Sequence, residues 1–97
     1  MMHGPGRLIN KVGHYKGDFQ SNQRQGYGIY RYRNGDFYEG DWVNGMKAGH
    51  GRSYTKNDDR IYDGQFKNNQ KHGAGKILTG DGHKVIEKGQ WQNDVKQ

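Results

Sequence analysis

Large side chains and glycines alternate with polar residues in short runs of period two along this chain, the pattern of half-buried β-strands. In Tyr15-Lys16-Gly17-Asp18-Phe19, residues Tyr15, Gly17 and Phe19 share one face, and Lys16 and Asp18 share the other. In the next run Gly26, Gly28, Tyr30 and Tyr32 share a face, while Tyr27, Ile29, Arg31 and Arg33 point away. The two runs return as a unit. Tyr38-Glu39-Gly40-Asp41-Trp42 and Tyr62-Asp63-Gly64-Gln65-Phe66 repeat the first, and Glu87-Lys88-Gly89-Gln90-Trp91 is a worn copy. The central glycines follow one another at steps of 23, 24 and 25 residues, and a Gly-x-Gly begins nine residues after each of the first three. These are Gly26-Tyr27-Gly28, Gly49-His50-Gly51 and Gly73-Ala74-Gly75. A fixed internal period of this kind marks a repeat array. The spacing predicts repeats over 15–37, 38–61 and 62–86, with half repeats over 3–14 and 87–94.

Within each repeat, Asn44-Gly45 or its equivalents Ser21-Asn22, Asn68-Asn69 and Asn93-Asp94 separate the two strands. These residue types best tolerate the positive φ of a tight hairpin turn, so each repeat reads as one β-hairpin. Length variation falls in the connections between repeats, near Asn34-Gly35, Asn57-Asp58 and Gly80-Asp81-Gly82. A residue without Cβ lets a neighbouring ring lie against the backbone, so Gly17, Gly40 and Gly64 are expected to act as sockets for aromatic rings. Burying one ring contributes roughly 4 kcal/mol, which exceeds the ~0.5–1 kcal/mol cost of ordering a glycine.

Tyr-x-Gly-x-Trp/Phe followed by Gly-x-Gly resembles the MORN repeat family over roughly residues 4–94. The resemblance implies an all-β fold, an elongated single-layer antiparallel sheet of stacked β-hairpins. It also implies protein-interaction scaffolding in cytoskeletal, ciliary or membrane-junction settings, with phospholipid binding proposed for some members. Two positions depart from the pattern. Glu87 stands where Tyr is expected and reads as a frayed end; Ser53 stands where other copies place Leu8, Tyr30 or Ile77 on the core face.

Composition narrows the chemistry. The 97 residues carry 29% hydrophobic side chains, too few for a thick core, yet two Trp, seven Tyr and three Phe recur at regular places. There is no cysteine, which removes disulfides and thiolate metal sites and fits a reducing, cytoplasmic setting. His3, His14, His50, His72 and His83 share no repeat column, so no metal site is expected. Arg31, Tyr54 and Leu78 occupy the place of the third glycine in a Gly-x-Gly-x-x-Gly phosphate cradle, and no helix follows. Neither Ser21 nor Ser53 has a base at fixed spacing. No cofactor and no catalysis are expected.

The net charge of +6 invites an anionic partner. Asp18, Glu39, Asp41 and Asp63 on first strands face Arg31, Arg33, Arg52 and Lys76 on second strands, so cross-strand pairing is expected to absorb much of the charge. Arg24, Lys47 and Lys71 remain as a basic column beside the hairpin turns, a candidate surface for anionic phospholipid. The rings Tyr15, Phe19, Tyr30, Tyr32, Tyr38, Trp42, Tyr62, Phe66 and Trp91 are too many for one layer to cover. About half are expected to form an exposed stripe for a protein partner. The carboxylates between them argue against nucleic acid. Open edges at both ends of the sheet are expected to meet a partner, another copy or further repeats. The expectation is a non-catalytic scaffold within a larger cytoskeletal or ciliary assembly, with the basic column as the alternative, lipid-binding route.

Overall fold

A computed structural model describes residues 3–97. The described residues form nine strands: β1 (Gly4–Ile9), β2 (Gly13–Gln20), β3 (Gln23–Tyr32), β4 (Phe37–Val43), β5 (Met46–Thr55), β6 (Arg60–Lys67), β7 (Gln70–Thr79), β8 (Val85–Gln92) and β9 (Val95–Lys96). Each pairs antiparallel with its sequence neighbours in a single sheet, β1 to β9 in order. The Cα extents are 41 × 24 × 20 Å. A flat layer would be far thinner than 20 Å, so the sheet is strongly twisted and curled. The expected half repeat at 87–94 is extended by the short β9, which pairs with Trp91 and Gln92.

The four hairpin turns meet the demand read from their dipeptides. Ser21-Asn22, Asn44-Gly45, Asn68-Asn69 and Asn93-Asp94 all have positive φ, between 50° and 78°. Their second residues also tie consecutive repeats together: the amides of Gly45, Asn69 and Asp94 donate to the carbonyls of Arg24, Lys47 and Lys71 at 2.9, 3.0 and 3.1 Å. The side chains of Asn69 and Asp94 return the contact by accepting from the amides of Lys47 and Lys71 at 2.8 and 2.7 Å. Gly45 has no such acceptor, and the Arg24 guanidinium donates to its carbonyl instead. Gly45→Asn is therefore expected to raise stability by up to about 1 kcal/mol in chemical denaturation, since Asn suits the local φ and supplies the missing acceptor.

The glycines divide their labour. In the strand register Gly6, Gly17, Gly28, Gly40, Gly51, Gly64, Gly75 and Gly89 pair one to the next, a line without side chains crossing eight strands. Directly paired residues point to the same face, so the line is a trough on the ring face. Tyr15 lies over Gly28, Tyr38 over Gly51 and Tyr62 over Gly75; a Cβ at any of the three would sit 2.2–2.5 Å from the tyrosine hydroxyl. The socket expected at Gly17, Gly40 and Gly64 is thus shared: a Cβ there would also lie 2.7–2.9 Å from the same tyrosine hydroxyls, but the closest ring contact is one strand on. The ring covers the second glycine of Gly-x-Gly, and the first-strand glycine is there because its Cβ would strike the partner glycine's Cα at 2.4–2.5 Å.

The first glycine of each Gly-x-Gly serves a bulge. Register slips between Gly17 and Phe19, and again at the equivalent places in β4 and β6. Gly26, Gly49 and Gly73 take φ of 91°, 60° and 80° there. The slip interrupts the ladder at Asp18, Asp41 and Gln65. Their carbonyls accept the hydroxyls of Tyr15, Tyr38 and Tyr62, each at 2.9 Å. The Asp18 and Asp41 carboxylates accept the bulged amides of Tyr27 and His50 at 3.4 and 3.1 Å. One backbone irregularity and the ring that seals it thereby account for the Tyr of each run and for the Asp of the first two.

Candidate interaction face

The aromatic side chains form a continuous column. Within repeats the pairs Tyr15–Phe19, Tyr38–Trp42 and Tyr62–Phe66 meet edge to face at 5.1, 5.1 and 5.2 Å. Between repeats Tyr15–Trp42, Tyr38–Phe66 and Tyr62–Trp91 do the same at 5.4, 5.0 and 5.0 Å. Each contact of this type adds ~0.5–1.5 kcal/mol beyond area burial. Tyr30 packs beside Tyr15 and Trp42, and Tyr32 stacks on Tyr30 at 4.8 Å.

The expectation that about half of these rings stay outside is corrected. Tyr15, Phe19, Tyr30, Tyr38, Trp42, Tyr62, Phe66 and Trp91 are each no more than 6% exposed, and Tyr32 is the partly exposed one of the nine. The sheet curls and the rings interdigitate, so one layer covers more aromatic surface than a flat sheet could. The large apolar side chains that are exposed lie elsewhere, among them Leu8, Ile9 and Val12 at the β1 end and Val85, Ile86 and Val95 at the β9 end.

The basic column lies beside the hairpin turns, as expected, and it shares the face of the rings. Arg24 pairs with Phe19, Lys47 with Trp42 and Lys71 with Phe66, all on the ring face. The Arg24 guanidinium lies 4.6 Å from the Trp42 ring and 5.2 Å from that of Tyr30. Lys47 Nζ lies 5.5 and 5.2 Å from the rings of Tyr32 and Tyr38, and Lys71 Nζ lies 5.2 Å from that of Tyr62. These distances are within cation–π range. Burial holds the Lys47 ammonium below its ordinary pKa. Lys96, which the sequence reading missed, continues the row opposite Trp91. The five-residue offset from the aromatic, the same as in Arg24, Lys47 and Lys71, was the available signal.

Glu87 is not a frayed end. It occupies the tyrosine column, and its carboxylate lies 3.1 Å from Lys96 Nζ. The contact between cation and ring seen in three repeats becomes an ion pair in the fourth.

On the opposite face the charge ladder is sparser than expected. Asp63 receives Arg52 Nε at 2.9 Å and His50 Nε2 at 2.8 Å. Arg31 instead lies 5.9 Å from the Phe37 ring, and Tyr27 donates its hydroxyl to Glu39. Among the described residues no three His, Asp or Glu side chains gather as a metal site, and no helix is long and apolar enough to cross a membrane.

Buried phenols make the column sensitive to alkali. Burial first, and then the Asp18 carboxylate, push the Tyr15 hydroxyl up to about 12; burial likewise raises Tyr38 and Tyr62. Phenols with a folded-state pKa above the unfolded value of about 10 contribute stability that is fully present below pH 10 and lost as pH rises through 10 towards 12. Tyrosinate absorbance and circular dichroism, followed together, are expected to change in one cooperative step within that window. Gradual ionisation at intact structure would contradict it.

The MORN repeat profile matches residues 15–37, 38–60 and 62–84, most of the chain. The chain belongs to the MORN repeat family. It is 34% identical over 99 residues to Alsin of Mus musculus and of Homo sapiens, covering 96% of this chain and 6% of each relative. It is 37% identical over 68 residues to MORN repeat-containing protein 3 of Xenopus laevis, covering 65% of this chain and 28% of that protein. The chain therefore spans only a small part of these MORN relatives. MORN repeats are non-catalytic modules that contact proteins or membranes.

Proposed function

We propose that this MORN array is a scaffold that receives a segment of a protein partner along its ring face, within a larger cytoskeletal or ciliary assembly in the cytoplasm. The observation that carries this reading is the row Arg24, Lys47, Lys71 and Lys96, which lies over the aromatic column on one face of a single-layer sheet. The two surfaces expected separately from the sequence, one aromatic and one basic, are thus the same surface. A partner segment with apolar and acidic side chains has complements for both. Tyr32 and the cations are the accessible contacts; the eight buried rings set their positions.

Anionic phospholipid is the second reading, favoured by the same cation row and the net charge of +6. A photo-crosslinking residue at Thr55, on the ring face, compared with one at Tyr27, on the opposite face, tests the first. A discrete protein adduct from Thr55 and none from Tyr27 is the expected result. Adducts from Tyr27 alone would refute it, and salt-sensitive flotation with anionic vesicles in place of protein adducts would transfer the assignment to lipid.

Self-association through the sheet edges fits the apolar residues at both ends. Sedimentation velocity is expected to show a concentration-dependent species; a monomer at all concentrations would remove this element of the proposal.

A further inference from the structure

The ring face is incomplete in its middle repeat. In the first repeat Tyr30 and Tyr32 stack at 4.8 Å, and Lys47 lies close to both Tyr32 and Tyr38. One repeat later the same two positions are Ser53 and Thr55, while Tyr62 and Lys71 stand where Tyr38 and Lys47 did. At the first position the other copies place a large apolar side chain, Leu8, Tyr30 or Ile77, and Ser53 leaves that space unfilled; at the second, Tyr32 is the one ring, with Asn10 and Thr79 in the other copies. Ser53 and Thr55 line a cavity of about 310 Å³ together with Tyr62, Lys71, Ile77 and Ile86. That volume is at the lower end of ligand-sized clefts, ~300–1,000 Å³. Lys71 retains its contact with Tyr62, at 5.2 Å, and Thr55 offers no counterpart to the ring of Tyr32.

The geometry points to this cavity as a socket for an aromatic side chain, Tyr, Phe or Trp, of a protein partner. This rests on the scaffold reading and specifies its anchor. An inserted ring restores what the first repeat builds from its own sequence: a planar group beside the lysine, with Ile77 and Ile86 as apolar walls. The lysine that lies near two rings in the first repeat gains its second ring in the other. The charged lining groups are two of each sign, Arg60 and Lys71 against Asp58 and Glu87. The socket therefore has no surplus positive charge for a phosphate, which separates a side chain from a nucleobase on a polyanion.

The test uses the full chain and p-cresol, the tyrosine side-chain analogue, followed by amide chemical shifts. Saturable shifts centred on Ile77 and Ile86 with a Kd on the order of 1 mM are expected, given the binding reachable by so few atoms. The double substitution Ser53→Tyr with Thr55→Tyr rebuilds the first repeat's ring pair, so it should fold at least as stably and bind the probe at least tenfold more weakly. Lys71→Met keeps the cavity and removes the cation, and is expected to weaken binding about 3- to 30-fold. This arm stands even where the double variant fails to fold. Shifts that never saturate, or persist unchanged in both variants, overturn the socket, as does adenosine binding as tightly as p-cresol. Protein adducts from Thr55 without p-cresol binding would sink the socket and leave the scaffold reading intact; the converse would sink only the scaffold.

Discussion

Valine at Gly51 is expected to unfold the middle hairpin and, with it, most of the array. The added Cβ would lie 2.3 Å from the hydroxyl of Tyr38 and 2.5 Å from its ring carbons. That ring is fully buried, with Trp42 and Phe66 at 5.1 and 5.0 Å. It has nowhere to go, and moving it would also free the Asp41 carbonyl that its hydroxyl satisfies. A loss of more than about 3 kcal/mol is expected, a large fraction of a small domain's stability. Alanine at the same position meets the same first clash and should already destabilise. A melting curve unchanged by Gly51→Val would show that the ring does not sit on the glycine trough.

The second large effect is expected at Trp42, which joins two repeats. Its ring contacts Tyr15 and Tyr38 edge to face, lies under the Arg24 guanidinium and donates Nε1–H to the Gly28 carbonyl at 3.1 Å. Trp42→Ala removes all four interactions and leaves a cavity in the column, at a cost of about 3–5 kcal/mol. Denaturant titration with tyrosine emission as reporter measures this directly. A cost below about 1 kcal/mol would mean the column relaxes around the gap. Because Trp42 is core, its replacement cannot report on partner binding. Tyr32, half-buried and at the surface of the column, is the residue to change for that purpose.

The repeat period, the hairpins and the turn positions were legible in the sequence because each is set by local backbone demands. Asn, Asp and Gly recur at Ser21-Asn22 and its equivalents since few other residues accept that φ. The exposure of the rings was not legible, because alternation tells which face a side chain occupies and not whether that face curls closed. The socket was half legible. A glycine announces a close approach, but only the register between β2 and β3 shows that Tyr15 lies chiefly over Gly28, with its hydroxyl reaching back to Gly17. Arg24 could have been placed by parity alone, since it shares a face with Gly28, Tyr30 and Tyr32 along β3. Glu87 needed Lys96 beside it to make sense, and the eight residues between them, the Asn93-Asp94 turn included, separate the two in sequence.

The line of turn contacts from Arg24 to Gly45, Lys47 to Asn69 and Lys71 to Asp94 gives the array two unlike margins. One is bound like the spine of a book, each leaf fastened to the next through its backbone. The other is the fore-edge, where the connections between repeats absorb all the variation in length. A label, tether or inserted loop placed at Asn57–Asp58 would leave the pages in order; the same insertion at Asn68–Asn69 would cut a stitch.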